Sequence, residues 1–102
     1  MPKVFVLNDG GYDYSTAQTF GEVVICSTGF VKKDISYCYR LLSEKLSLAQ
    51  ASDFIVLSGL TSLCCVATAL FIEKFGSVNF LIFKDDRYVP QTLTTMQGNK
   101  DE

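Results

Sequence analysis

The sequence predicts an α/β domain: a small, mostly parallel sheet of about four to five strands, with flanking helices and a C-terminal hairpin strand. Three observations predict it. Residues 53–83 read as strand, polar turn, apolar helix, glycine stop and strand, the order of a βαβ unit. Two further apolar runs, 3–7 and 22–26, are rich in β-branched residues and end in glycine-bearing polar turns. Past residue 83, two strand-like runs flank Asp85-Asp86, the pattern of a hairpin.

In chain order, residues 3–7 form an interior strand stopped by Asn8-Asp9-Gly10-Gly11. A polar, aromatic loop through Tyr12, Asp13, Tyr14 and Ser15 leads to one or two helical turns over 17–20, with Asp13 or Ser15 as the cap. Gly21 breaks them, 22–26 is the second strand, and Ser27-Thr28-Gly29 closes it. Asp34 is the expected N-cap of an amphipathic helix in which Ile35, Cys38, Leu42 and Leu46 recur at helical spacing, with Tyr39 and Leu41 widening the stripe. Residues 54–57 are a strand suited to burial on both faces. Gly59 opens the turn after it, Thr61 or Ser62 is expected to cap the helix over 63–75, and Gly76 fits a left-handed C-cap. The strand over 78–83 then runs into the hairpin, whose last strand lies at an edge because Pro90 cannot donate to a ladder. One domain over 1–96 is expected, with a frayed polar tail over 97–102.

The helix over 63–75 is apolar nearly all round, with Thr68 as its polar interruption. Such a helix is normally buried on more than one side. In a domain this small, part of it is expected either to face another subunit, making a homo-oligomer, or to be wrapped within one chain. Residues 54–72 carry no charge and approach the length of a membrane span. The cluster of Ser58, Gly59, Thr61 and Ser62 falls where a strand–helix turn belongs, so no membrane association is expected.

Composition removes several kinds of chemistry. Apolar residues make up 48% and charged residues 20%, a globular balance. The net charge of −2 argues against binding duplex nucleic acid. With no histidine, Ser-His and Cys-His nucleophile pairs and Cys/His zinc sites are excluded. Cys26, Cys38, Cys64 and Cys65 form no C-x-x-C pair, no leader is expected, and buried free thiols in a cytoplasm are the default. The Cys64-Cys65 pair reads as packing. The chain lacks a Walker A lysine motif and a G-x-G-x-x-G stretch, against an NTPase or dinucleotide oxidoreductase. No cofactor, metal site or catalytic group is expected.

If the first four strands run parallel, their C-terminal ends bring together Asn8, Asp9, Gly10 and Gly11, then Ser27 and Thr28, then Ser58, Gly59, Leu60, Thr61 and Ser62, and finally Lys84. Ligands of open α/β sheets bind outside those ends, and a helix starting near Thr61 would aim free amides there. Tyr12 and Tyr14 can stack on a base, and Asn8 or Asp13 can read its edge. These residues form the expected ligand site, for a nucleotide-like or other anionic small molecule. Turn geometry alone also favours glycine and serine at strand ends.

The opening run from Val4 to Gly11 and the turn from Ser58 to Leu63 resemble small proteins of phages and mobile elements. Some of those sequester immune signalling nucleotides or block defence enzymes, so the resemblance implies an anti-defence protein of the host cytoplasm. Two alternatives stand beside ligand binding. One is a protein-binding inhibitor or adaptor acting through the apolar helix or a sheet edge. The other is a phosphodiesterase-like hydrolase using Asp9 or Asp13.

Overall fold

In the computed structural model, which describes residues 1–95, a five-stranded sheet has the order β2-β1-β3-β4-β5. The strands are β1 (Lys3–Val6), β2 (Glu22–Ile25), β3 (Phe54–Val56), β4 (Ser77–Lys84) and β5 (Arg87–Thr94). The first four run parallel and β5 pairs antiparallel with β4. Two α-helices, α1 (Ile35–Lys45) and α2 (Thr61–Phe75), and a short 3-10 helix over Ser15–Thr19 complete the fold. The expected α/β class, the βαβ unit over β3-α2-β4 and the C-terminal hairpin are all present. The expected tail over 97–102 lies outside the described residues.

The strand order decides which face each connection covers. From β1 the chain steps one way to β2, then the other way to β3 and β4. Crossovers of the preferred right hand therefore place the first connection on one face and the next two on the other. The packing follows. Phe5, Leu7, Ile55 and Val78 meet Cys38 and Leu42 of α1 and Leu63, Ala67 and Phe71 of α2. On the opposite face, Val4, Val6, Val56 and Leu81, with Val23 and Phe54 of neighbouring strands, meet Ala17, Tyr14 and Phe20 from the β1–β2 connection, and Tyr88 from β5. One face carries two helices of 11 and 15 residues and the other a single five-residue 3-10 helix.

Local chemistry explains the element ends. The Asp34 side chain accepts from Ser36 N at 2.9 Å, capping α1 as its sequence suggests. Gly76, at φ 76°, closes α2 with its amide donating to Ile72 O. The start of α2 differs from expectation. Leu60 holds the N-cap position without a side-chain hydrogen bond, and Thr61 is already helical. The Ser62 hydroxyl instead donates to Lys33 O at 3.2 Å, tying α2 to the loop before α1. The 3-10 helix begins after Tyr14, also without a side-chain cap, while Asp13 accepts from Ser15 N at 2.9 Å in a turn just before it. Gly21 is required by a close approach: a Cβ there would lie 2.3 Å from Pro2 O.

Two side-chain faces also depart from expectation. Cys38, Leu42 and Leu46 of the α1 stripe are buried, but Ile35 and Tyr39 are about half exposed. On α2, Cys64 is half-buried and its thiol donates to Ser58 O at 3.5 Å, whereas Cys65 is exposed rather than packed. No helix among the described residues is long and apolar enough to cross a membrane.

Polar groups lock the N-terminal end of the sheet. Buried Asp53 accepts from Lys3 N at 2.8 Å and from Gln50 N at 2.7 Å, fixing the start of β1 to the loop before β3. Asn79 on β4 donates to Ala51 O and Asp53 O, and accepts from the Thr92 hydroxyl of β5 at 2.7 Å. Four of the five strands or their approaches are thus joined at one end. Replacing Asp53 leaves two amides without their acceptor, so Asp53→Ala is expected to lower unfolding free energy by about 2–4 kcal/mol in urea denaturation. At the other end, Asp85 and Asp86 both adopt positive φ, 53° and 64°, in a two-residue turn. Glycine relieves that backbone strain, and Asp86→Gly is expected to raise stability by roughly 0.5–1 kcal/mol in the same assay.

Candidate functional site

The switch in strand order falls between β1 and β3, and the C-terminal ends of these strands carry two of the loops singled out by the sequence. The first half of the expected site is laced together. Asn8 Nδ2 donates to Gly29 O at 3.2 Å, and the Ser27 hydroxyl donates to Leu7 O at 2.7 Å and lies 3.0 Å from Asn8 Oδ1. Asp9 N donates to Ser27 O at 2.9 Å, and Asp9 pairs with Thr28 in a parallel bridge. These bonds prolong the β1–β2 ladder past the ends of both strands. Asn8, Asp9, Ser27 and Thr28 therefore act here as a clasp.

Beyond the clasp the chain turns back over the sparsely covered face. Asp9 Oδ1 accepts from Gly11 N at 2.9 Å, and Gly11 sits at φ 87°, a conformation suited to glycine. The Tyr14 hydroxyl accepts from Gly10 N at 3.4 Å. This bend suspends Tyr12, Asp13 and Tyr14 above the sheet. Beneath them lies a cavity of about 530 Å³. Tyr12, Asp13 and Tyr14 form its roof, Val56, Leu57, Ser58 and Gly59 its floor at the end of β3, and Phe83 and Tyr88 its wall on the hairpin. Small-ligand pockets fall in the range of roughly 300–1,000 Å³, lined mostly by apolar and aromatic groups with a few polar ones.

Hairpin register builds the wall. The two-residue turn sets Phe83 opposite Tyr88, and their rings meet edge to face with centroids 5.1 Å apart. Tyr88 is buried while Phe83 is 56% exposed, so one ring braces the other at the cavity mouth. Gly59 at φ 87° lets the chain leave β3 close beneath β1, where a Cβ would stand 3.7 Å from Asn8 O.

Of the residues expected to bind ligand, Tyr12, Ser58 and Gly59 line this cavity. Leu60, Thr61 and Ser62 do not; the chain has by then turned to the helix-covered face. Lys84 is exposed and pairs across the hairpin with Arg87, one step beyond the Phe83–Tyr88 pair. Alternation along a strand sends that pair to the opposite face. The cavity also uses Val56, Leu57, Phe83 and Tyr88, which sequence reasoning did not assign to the site. The signal for the two aromatics was present: a two-residue turn at 85–86 fixes 83 against 88, and both then share a face with Leu81.

The cavity presents aromatic faces, hydroxyls that donate or accept, and one carboxylate. Among the described residues, no lysine or arginine lines it. The Ser15 backbone amide and hydroxyl hold the Asp13 carboxyl below its ordinary value, so it is an anion at neutral pH. Burial raises the Tyr88 phenol above its ordinary value, and Tyr14 and Asp13 add to the shift. Elsewhere, burial pushes the Cys26 thiol up to about 11 and raises Cys38 and Cys64, which opposes thiolate chemistry. Among the described residues, no group of three or more Asp, Glu, Cys or His is placed to hold a metal ion. The arrangement suits stacking of a planar ring between tyrosine and phenylalanine, with Asp13 and the Ser58 hydroxyl in reach of polar edges.

A raised phenol favours the folded state while protonated. The stabilisation is full below the unfolded phenol pKa, about 10, and is lost as pH climbs through the folded value. Tyr88→Phe is therefore expected to flatten the decline of melting temperature with pH above that point. In a near-ultraviolet titration it should remove a phenol that ionises above its ordinary value. An unchanged pH profile would place Tyr88 in a solvated setting.

Comparison with protein families matches residues 2–95 to the model described as Phage Pam3 gp32-like protein. No curated protein and no solved structure matches the chain.

Proposed function

The chain belongs to the phage Pam3 gp32-like family, and from that premise we propose that this phage protein binds a nucleotide-like small molecule in the cavity beneath the Tyr12–Tyr14 loop. The observation that carries this reading is the cavity itself: an aromatic-lined hollow beside the switch point of an open α/β sheet. The ligand's base is the part that enters. Tyr12, Tyr14 and Phe83 supply ring faces, and the Asp13 carboxylate accepts from an exocyclic amine or ring N–H. With an anion in the roof and no cation in the lining among the described residues, a phosphate stays outside, toward solvent. The anionic part of the ligand is thus held loosely and the base tightly.

Such a site serves retention rather than turnover. Asp9 and Asp13 each spend a carboxylate oxygen on a backbone amide, which orders the loop. In a phage protein acting in the host cytoplasm, the fitting role is sequestration of a nucleotide signal, including one that triggers defence. A second reading has its own observation. Phe30, at 91% exposed, stands on the loop after the open edge strand β2, and an apolar anchor beside an unpaired edge suits a protein partner.

Calorimetric titration with nucleosides and with linear and cyclic nucleotides tests the first reading. At least one base should bind, and Phe83→Ala should weaken it by about tenfold or more, since a stacked base is worth roughly 1–3 kcal/mol. Lys84→Ala should change the affinity little. Absence of binding across the panel, or binding indifferent to Phe83→Ala, would contradict the cavity as the site.

A further inference from the structure

The helix layer carries a second hollow, on the face of the sheet away from the cavity. A groove of about 490 Å³ runs between α1 and α2. Ile35 and Tyr39 form its α1 bank, 55% and 52% exposed although both belong to the apolar pattern of that helix. At i and i+4 they make one ridge. Ala69 and Leu70 form the α2 bank, and exposed Ala69, the smallest of the four, makes a low point along it. Two charges stand at the rim: Arg40 on α1 and Glu73 on α2, both exposed.

We propose that this groove is the interface of a symmetric homodimer. The argument for a second copy, rather than another partner, is the distribution of charge. An apolar patch with one cation on one bank and one anion on the other complements itself under two-fold rotation. The rotation sets Arg40 against Glu73 of the partner subunit, and Glu73 against Arg40 of the partner subunit. The Ile35–Tyr39 ridge of each copy then lies over the low point at Ala69 in the other, ridge into groove. The apolar outer side of α2 and the misplaced apolar pair on α1 acquire one common explanation. The sheet separates this face from the ligand cavity, so dimerisation stands or falls independently of binding there.

Sedimentation equilibrium over a range of concentrations tests the proposal, with far-ultraviolet circular dichroism to confirm that each variant is folded. The unaltered chain should dimerise. Ala69→Arg should weaken the dimer by about tenfold or more. Arg40→Glu and Glu73→Arg should each do likewise, because like charges then meet at both contacts. Mixing these two charge variants brings opposite charges together at both contacts and should restore a dimer. A chain that stays monomeric throughout, whether or not this face captures some other protein, would overturn the proposal. So would a dimer indifferent to the charge reversals, or charge variants that stay apart when mixed.

Discussion

The handedness of the crossovers governs this molecule. Once the strand order is β2-β1-β3-β4, both long connections must cross one face and the β1–β2 connection alone the other. That connection is short and holds five residues in a 3-10 helix. It packs on its face through Ala17, Tyr14 and Phe20, while Tyr12, Asp13 and Tyr14 roof a hollow over the C-terminal end of β3. The aromatic cavity is the space left between a loop too short to fill it and a hairpin long enough to wall it.

The two ends of the sheet are built to different purposes. At the N-terminal end, Asp53 and Asn79 satisfy backbone groups from several segments, and the buried carboxylate leaves little freedom. Fixing that end holds the register of β1, β3 and β4. At the C-terminal end, the clasp between Asn8 and Gly29 closes β1 onto β2, while the β3 end stays open beneath the tyrosine loop. The loop itself is held by the Gly10–Tyr14, Gly11–Asp9 and Ser15–Asp13 hydrogen bonds.

Much of the fold was legible in the sequence. Apolar runs ending in glycine turns located the parallel strands, Gly76 and Asp34 marked helix boundaries, and Pro90 placed the last strand at an edge. Turn residues located the C-terminal ends of the strands but not how they are used. Asn8, Ser27 and Thr28 look like ligand groups in sequence, and in space they join the two loops, Asn8 to Ser27 and Gly29 and Thr28 to Asp9, because polar loops side by side satisfy one another. Phe83 and Tyr88 look like ordinary strand residues, and only the cross-strand register makes them a wall. Leu60 at the cap of α2 was illegible for a related reason: the neighbouring hydroxyl of Ser62 is drawn to Lys33 by tertiary packing.

The most direct measurement is two-dimensional amide NMR of the labelled protein, titrated with the nucleotide that binds best. The account predicts shifts concentrated at Tyr12–Tyr14, Leu57–Gly59, Phe83 and Tyr88, on both sides of one cavity and on one face of the sheet. Perturbations gathered instead around Lys33, Thr61 and Ser62, or no perturbation at saturating nucleotide, would contradict it.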